Sequence, residues 1–358
     1  MRGASPKQSS MLCLVSMEDR VPQDHPLRPM KKMADRALAE LSPVFDAMYA
    51  EAGRPSVPPE RLLKALLLQA LFSIRSERQL CEQLQYNLLY RWFLDMDMVE
   101  EAFAPTTFTK NRDRLLEHEV ASQFFDAVVS QASSAGLMSS EHFSVDGTMI
   151  EAWASMKSFR PKDDDDDDNN GWADFRGKKR SNDTHASKTD PEAKLWRKGQ
   201  GREAKLCFAG NALMENRNGL LLDFRIDVMS GRIEWDAAVE MLDDNVGGDR
   251  RITVGADRGY DVKDFIARLR ERGITPHVAQ QITSHRGSGI DGRTTRHRGY
   301  AISQTIRKRI EEIFGWFKTV GGLRRTRFRG VARTQLAAYL VGAAYNLLRM
   351  SRLMPVTA

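Results

Sequence analysis

The chain has 358 residues and a formal charge of +6, and hydrophobic residues make up 41% of it. That length allows a large core and about two to three domains, and that apolar fraction excludes an intrinsically disordered chain. Cys13, Cys81 and Cys207 are few, odd in number and without metal-type spacing, which excludes a zinc site and suits a reducing compartment.

Residues 1–26 are polar or proline-punctuated and read as an irregular arm, and the run MLCLV within them is too short for a signal sequence. From Leu27 to about Leu137 the pattern is helical. Pro58 and Pro59 open a helix containing ERLLKALLLQALFSI, apolar on most of its surface and therefore buried. Ser76 with Gln79 predicts a capping box before RQLCEQL. Asn87 to Phe93 is a further amphipathic segment, and Thr106 or Thr107 is expected to cap FTKNRDRLLEHEV. Short helices joined by tight turns, one of them carrying Lys110 and Arg112, suit a DNA-binding domain and equally a plain packing module.

The character changes near His142. The run FSVDGTMIEAW alternates as a strand does. A polar stretch over about 157–201 follows, with consecutive aspartates from Asp163 to Asp168. Adjacent like charges repel and bury nothing, so this stretch is expected to be flexible. AKLCFAGNALMEN and LLDFRIDVMSG read as two strands joined at Asn218-Gly219, a hairpin signal. EWDAAVEMLDDNV is a helix, RITVGAD a buried strand, VKDFIARLRERG a helix ended by Gly273, and ITPHVAQQ a strand. The order is mixed α/β. LAAYLVGAAY is too short to span a bilayer and is followed by Asn346, so it reads as a buried helix, with no membrane partner.

Three acids stand where a two-metal phosphoryl-transfer site needs them. Asp146 and Asp257 each end an apolar, β-prone run, and Gly147 and Gly259 beside them permit close approach of backbone or substrate. Asp261, with Asp264 following, is expected to cap the next helix and is not nominated. At about 100° per residue, Arg307, Glu311 and Lys318 share one helix face, and Glu312 points away. Ile306, Ile310, Phe314 and Phe317 form an adjoining apolar stripe. The flanking cations keep Glu311 ionised, as a metal ligand must be; an ordinary Arg307–Glu311 ion pair is the alternative. From Arg293 to Arg333 about a dozen lysines and arginines face only Glu311 and Glu312 as acids, a stripe that suits nucleic acid or a solvated basic face.

Long strings of this chain resemble the DDE transposases of bacterial insertion sequences, in the group named after insertion sequence five. They include GRPSVPPERLLKALLLQALFSIRSERQLCEQLQYNLLYRWFLDM, TTFTKNRDRLL, FSVDGTMIEAWAS, GREAKLCFAGNALMENRNGL, VGADRGYD and RKRIEEIFGWFKTVGGLRRTRFRG. The resemblance implies a helical N-terminal domain over 1–137 that binds DNA ends. It also implies a ribonuclease-H-like catalytic domain over 138–358, a mixed sheet flanked by helices, with Asp146, Asp257 and Glu311 as catalytic metal ligands. Related enzymes carry a Tyr, Arg, Glu, Lys signature with two, three and six residues between its members. Arg307, Glu311 and Lys318 match it, and Gln304 stands at the tyrosine position. Some relatives insert a β-rich segment between the second aspartate and the glutamate; here there is room only for a helix, a strand and a basic loop.

The activity implied is cutting at terminal inverted repeats and joining of the freed 3′-hydroxyls to target DNA. Two Mg²⁺ ions, with Mn²⁺ able to substitute, would serve each site. Arg307, Lys318, Arg324, Arg325, Arg327 and Arg329 would meet phosphates, and Lys110 and Arg112 would read the ends. Bringing two ends together implies a homodimer in the DNA synapse, in a bacterial cytoplasm. A metal-dependent nuclease of the same fold and an inactive DNA-binding repressor remain the alternatives.

Overall fold

The structure is a computed structural model that describes residues 16–49, 56–162, 180–199, 201–247, 251–282 and 287–354. Cys13 and the run Asp163 to Asp168 lie outside the described residues.

The N-terminal part is helical: α1 (Met17–Arg20), α2 (Leu27–Glu40), α3 (Ser42–Met48), α4 (Pro59–Leu71), α5 (Glu77–Tyr86), α6 (Leu88–Phe93), α7 (Pro105–Glu117) and α8 (Val120–Ser134). Helix α4 starts where the proline pair predicts, and Leu62, Leu63, Leu67 and Leu68 along it are buried. Ser76 caps α5 by accepting from Gln79 N at 3.1 Å, but the Gln79 side chain reaches Arg75 N rather than closing a reciprocal box. Asn87 caps α6 through Leu89 N and Tyr90 N. Neither Thr106 nor Thr107 caps α7. Pro105 takes its first position and Ala104 precedes it, because a proline with no N–H to satisfy is itself a good start.

The second part is built on a sheet. Its strands are β1 (His142–Glu151), β4 (Lys194–Trp196), β5 (Lys205–Glu215), β6 (Leu221–Val228), β7 (Thr253–Ala256) and β8 (Thr275–Val278); β2 (Phe159–Pro161) and β3 (His185–Ser187) form a separate pair. β5 pairs antiparallel with β1, and β4 and β6 pair antiparallel with different stretches of β5. β7 runs parallel to β1, and β8 parallel to β7. Helices α9 (Ile233–Asn245) and α10 (Lys263–Glu271) cover one face, where Phe143 and Val145 of β1 join Leu242, Phe265 and Leu269 in a core. After the short α11 (Gly292–Thr295), α12 (Arg298–Ile306), α13 (Ile310–Thr319) and α14 (Val331–Leu353) follow. Phe224 of β6 stacks on Phe317 of α13 at 4.5 Å, so α13 lies on the other face. This is a helical region followed by a mixed sheet with flanking helices, the ribonuclease-H-like architecture the sequence implied.

Helix α14 contains LAAYLVGAAY and lies buried among α2, α4, α8 and β6. Asn346, which interrupts the apolar run, accepts from Leu221 N at 2.9 Å and donates to Leu221 O at 2.7 Å. It thereby satisfies backbone groups that the helix covers. No described helix is long and apolar enough to cross a membrane.

The described ends of the polar stretch over about 157–201 hold β2, β3 and β4. Two of the acids there have backbone partners. Asp190 accepts from Gly330 N at 3.1 Å and Glu192 from Val331 N at 2.7 Å. Both carboxylates thus sit at the N-terminus of α14, where free N–H groups and the helix dipole favour them.

Candidate active site

Asp146 lies in the middle of β1, not at its end, with Phe143 and Val145 turned to the α9 face. Asp257 follows the last residue of β7 and caps a 3₁₀ turn over Arg258–Tyr260, accepting from Gly259 N at 2.7 Å. The parallel register ends at Ser144 opposite Gly255. Continued two residues, it sets Asp146 beside Asp257, roughly one strand spacing (about 4.8 Å) away. Because β7 stops while β1 runs on, the edge of β1 beyond Ser144 faces a notch. Its far rim is the basic segment that rejoins β1, where Glu151 N donates to Arg324 O at 3.0 Å and Thr326 N to Glu151 O at 2.8 Å.

The electrostatics of the notch are those of crowded carboxylates. Burial above all pushes Asp146 up to about 7. The Gly147 N–H, donating at 2.8 Å, and the charge of Arg307 work against that shift, and the charges of Asp257 and Glu234 add to it. Glu234, in the first turn of α9, was not singled out from the sequence. Its pKa is raised, by burial against the neighbouring protein first and then by the charge of Asp257, although by surface area the residue is exposed. The signal for it lay in Gly147: a Cβ there would stand 2.8 Å from the Glu234 carboxyl group, so the close approach this glycine permits is that of Glu234.

Glu311 lies in the first turn of α13, exposed, and makes no hydrogen bond or ion pair with a described residue. Its helix is not continuous. Arg307–Arg309 form a 3₁₀ turn between α12 and α13. Tighter winding there, about 120° per residue, rotates Arg307 away from the position an unbroken helix would give it relative to Glu311. The Arg307–Glu311 ion pair is accordingly absent among the described residues; Arg307 Nε donates to Gln304 Oε1 at 2.9 Å instead. Gln304 in turn donates to His277 O on β8. The residue at the tyrosine position therefore braces Arg307, which packs over Gly255 with its Cβ 3.2 Å from where a glycine Cβ would be. Glu312 points away as expected, toward Arg349 at 3.4 Å. Lys318 donates to Thr148 Oγ1, two residues along β1 from Asp146 and on the same strand face. Burial lowers its pKa, and Lys198 and Arg324 add to that.

Asp261 does not cap α10, whose N-cap is Val262. Its carboxylate instead accepts from Gln281 N at 2.6 Å and Gly289 N at 2.9 Å, which fixes the loop after β8. Arg324 and Arg329 are exposed, with side chains unpaired among the described residues. Arg325 donates to Trp153 O at 2.7 Å and lies over the Trp153 ring at 5.5 Å, and Arg327 donates to Ile74 O at 3.2 Å. Lys110 is exposed. Arg112 is committed to Glu77 and to the Phe328 ring at 4.6 Å, so it is not a free side chain for DNA. A cavity of about 790 Å³, lined by Leu66, Arg75, Arg112 and Phe328 among others, lies between α4, α7 and the 319–328 segment, and none of Asp146, Glu234, Asp257 and Glu311 lines it.

As placed, no three described His, Cys, Asp or Glu side chains chelate a metal. In chemistry, the carboxylates that register sets side by side, Asp146 and Asp257, are hard oxygen donors of the kind a divalent cation takes. Tyr260 supplies a further sign. Its hydroxyl is buried with no hydrogen-bond partner, in the field of Glu234, Asp146 and Asp257.

Two family models match the chain. A transposase domain family (DUF772) covers residues 15–114, and a transposase DDE domain covers residues 140–347. Comparison with curated proteins gives no match. Among solved structures, a piggyBac transposase synaptic complex with hairpin DNA aligns at 8% identity over 93% of this chain and 77% of that one, with a TM-score of 0.41. A pre-cleavage Mos1 transpososome aligns at 10% identity over 85% and 82%, with a TM-score of 0.22. At such scores neither alignment carries a residue correspondence.

Proposed function

The chain belongs to the DDE transposases, and we propose that it mobilises an insertion sequence of the group named after insertion sequence five. It would cut at the terminal inverted repeats and join the 3′-hydroxyl ends to target DNA in the bacterial cytoplasm. The observation that carries this reading is the notch itself: Asp146 and Asp257 brought together at an unpaired strand edge, with Arg307 on one side and Lys318 beyond.

Asp146, Asp257 and Glu311 would hold two Mg²⁺ ions, with Mn²⁺ as a substitute. When bound, such ions supply activation of water or the 3′-hydroxyl and stabilisation of the leaving oxygen. Glu311, free and exposed, would turn into the notch when DNA and ions bring their charges there. Arg307, held by Gln304, and Lys318, held by Thr148, would grip the phosphates on either side of the scissile bond. Arg324, Arg325, Arg327 and Arg329 would continue the phosphate track without reading sequence. The helical part, 1–137, would recognise the ends, with Lys110 presented to DNA, and 138–358 would carry the chemistry. Two copies would pair the two ends.

The test is a duplex carrying the repeats that flank the coding sequence, incubated with the protein and Mg²⁺ or EDTA. A nick at the repeat terminus with Mg²⁺ alone supports the reading. No nick with Mg²⁺, despite specific binding, leaves a DNA-binding repressor.

A further inference from the structure

DNA sequence is read by side chains that reach base edges, and α5 presents such side chains together. A short turn over 72–76 joins α4 to α5, and Ser73 within it takes a left-handed φ of 52°. Leu80, Cys81 and Leu84 turn one side of α5 inward, where α4, α6 and α7 pack. At about 100° per residue, Arg78, Gln79, Glu82, Gln85 and Tyr86 fall within an arc of about 120° on the opposite side, and all of them are exposed. We infer that this face of α5 enters the major groove of the element's terminal repeats, and that Arg78, Glu82 and Gln85 on it choose the sequence. The inference rests on the end-binding reading above and names the residues that give it specificity.

The chemistry of the arc suits base edges. Arginine pairs with guanine O6 and N7, glutamine with adenine N6 and N7, and glutamate accepts from cytosine N4. The side chains of Arg78, Glu82 and Gln85 make no hydrogen bond or ion pair with a described residue. Their neighbours are held: Gln79 Oε1 accepts from Arg75 N at 3.3 Å, and Tyr86 Oη accepts from Gln83 Nε2 at 3.1 Å. A merely solvated helix face ties opposite charges four residues apart to one another. Arg78 and Glu82 have that spacing and stay apart. The exposed side of α7 offers less, because Asp113 and Glu117 stand there with Lys110 and Asp113 is paired with Arg333.

The two charges of the arc cancel, so it supplies discrimination and the affinity comes from beside it. The α4–α5 turn is fixed to the basic segment that follows α13. Ser73 Oγ donates to Val320 O at 2.9 Å, and Arg327 Nη1 donates to Ile74 O at 3.2 Å. Arg112 pairs with Glu77 in the first turn of α5 and lies over Phe328. The exposed Arg324 and Arg329 stand on that same segment, and Glu151 N donates to Arg324 O at 3.0 Å on the strand that carries Asp146. The arc, the phosphate-facing arginines and the notch thus belong to one block, which sets reading at a fixed offset from cutting. DNA outside an element changes with every insertion, so the pairs that α5 reads lie within the repeat.

The experiment is competition binding of the full chain to a duplex carrying the flanking repeat and to a scrambled duplex, then to repeats with one base pair changed at a time. Thermal melting checks folding. Arg78→Ala and Gln85→Ala are each expected to lower the preference for the repeat about tenfold, the worth of one bidentate base contact. Affinity for the scrambled duplex should change less than about threefold, since one phosphate contact at most is touched. Each variant should become indifferent to one or two adjacent pairs that the parent discriminates and keep its penalties elsewhere. Arg324→Ala, in contrast, should weaken both duplexes and leave the pair-by-pair profile unchanged. If the parent prefers the repeat and both α5 variants keep its profile, the inference fails and the end-binding reading stands. A profile flattened by Lys110→Ala alone gives the reading to α7 and also rejects it. A lowered melting midpoint with equal loss at every pair assigns these residues to folding and rejects it too. A parent that binds both duplexes equally overturns the end-binding reading along with the inference.

Discussion

Glu215→Gln should loosen the hinge between the helical part and the sheet more than its conservative chemistry suggests. Glu215 ends β5 and is fully buried. Its Oε1 accepts from Asn218 N at 2.8 Å and Leu220 N at 3.0 Å. Its Oε2 accepts from Ser139 N at 3.0 Å and Arg217 N at 2.8 Å. One carboxylate thus clamps the β5–β6 turn and the segment that leads from α8 into β1. An amide keeps one accepting oxygen and turns an NH₂ toward the other two donors. Whichever way it is set, two backbone N–H groups lose their acceptor, one buried at about 1–3 kcal/mol and one part-buried at less, so the expected loss is about 2–4 kcal/mol. The assay is urea unfolding followed by tryptophan fluorescence at neutral pH, comparing midpoints and slopes. A loss below about 1 kcal/mol would show that the turn finds other acceptors and that the clamp reasoning is wrong.

Asp146→Ala, Asp257→Ala and Glu311→Ala should each abolish Mg²⁺-dependent cleavage and leave end binding in a gel-shift assay largely intact, whereas Glu312→Ala, which loses only the Arg349 contact, should stay active; an inactive Glu312→Ala beside an active Glu311→Ala would refute the assignment of the helix face. DNA affinity should fall steeply with salt as phosphate contacts release counterions, and Arg324→Ala should weaken specific and random duplexes alike, while Lys110→Ala should narrow the preference for the ends; competition binding decides, and a collapsed preference in Arg324→Ala alone would move end recognition to the C-terminal part. Arg112→Ala should lower the thermal midpoint, because it strips Glu77 of its partner and Phe328 of its cover. His277 is buried and its pKa is lowered to about 4 from 6.5, by burial first and then by His142, Arg251 and His297. The unfolded chain therefore takes up a proton before the folded one, and stability present above about pH 6.5 is lost as pH falls toward 4; His277→Phe should flatten that part of the urea-midpoint profile relative to the parent, and an unchanged profile would contradict it.

Most elements were legible in the sequence because local signals and tertiary packing agree. The alternation around Asp146, the Asn218-Gly219 turn and the Gly273 stop each match an observed boundary region, with Gly219 and Gly273 at positive φ. The meeting of Asp146 with Asp257 is a consequence of parallel register between strands far apart in the chain, which no local window encodes. Glu234 escaped notice because acids in a helix's first turn are common and its significance lies in what Gly147 lacks. Asp261 looked like a cap because Asp264 follows it, but its acceptors were needed by a loop some twenty residues on, at Gln281. The Arg307–Glu311 ion pair is absent among the described residues, where Arg307–Arg309 wind into a 3₁₀ turn that a run of three basic residues does not announce. Asp190 and Glu192 sat in a stretch whose composition reads as unfolded, and their partners at the start of α14 lie well over a hundred residues away.

The central claim is that this chain joins DNA as well as cutting it. The direct measurement is a strand-transfer reaction in which a labelled duplex ending in the element's repeat is incubated with the protein, Mg²⁺ and an unlabelled plasmid, and the products are resolved under denaturing conditions. The account predicts label covalently attached to plasmid DNA with the parent protein, and none with Asp146→Asn or in EDTA. Cleaved label that never joins the plasmid would contradict it and leave a nuclease.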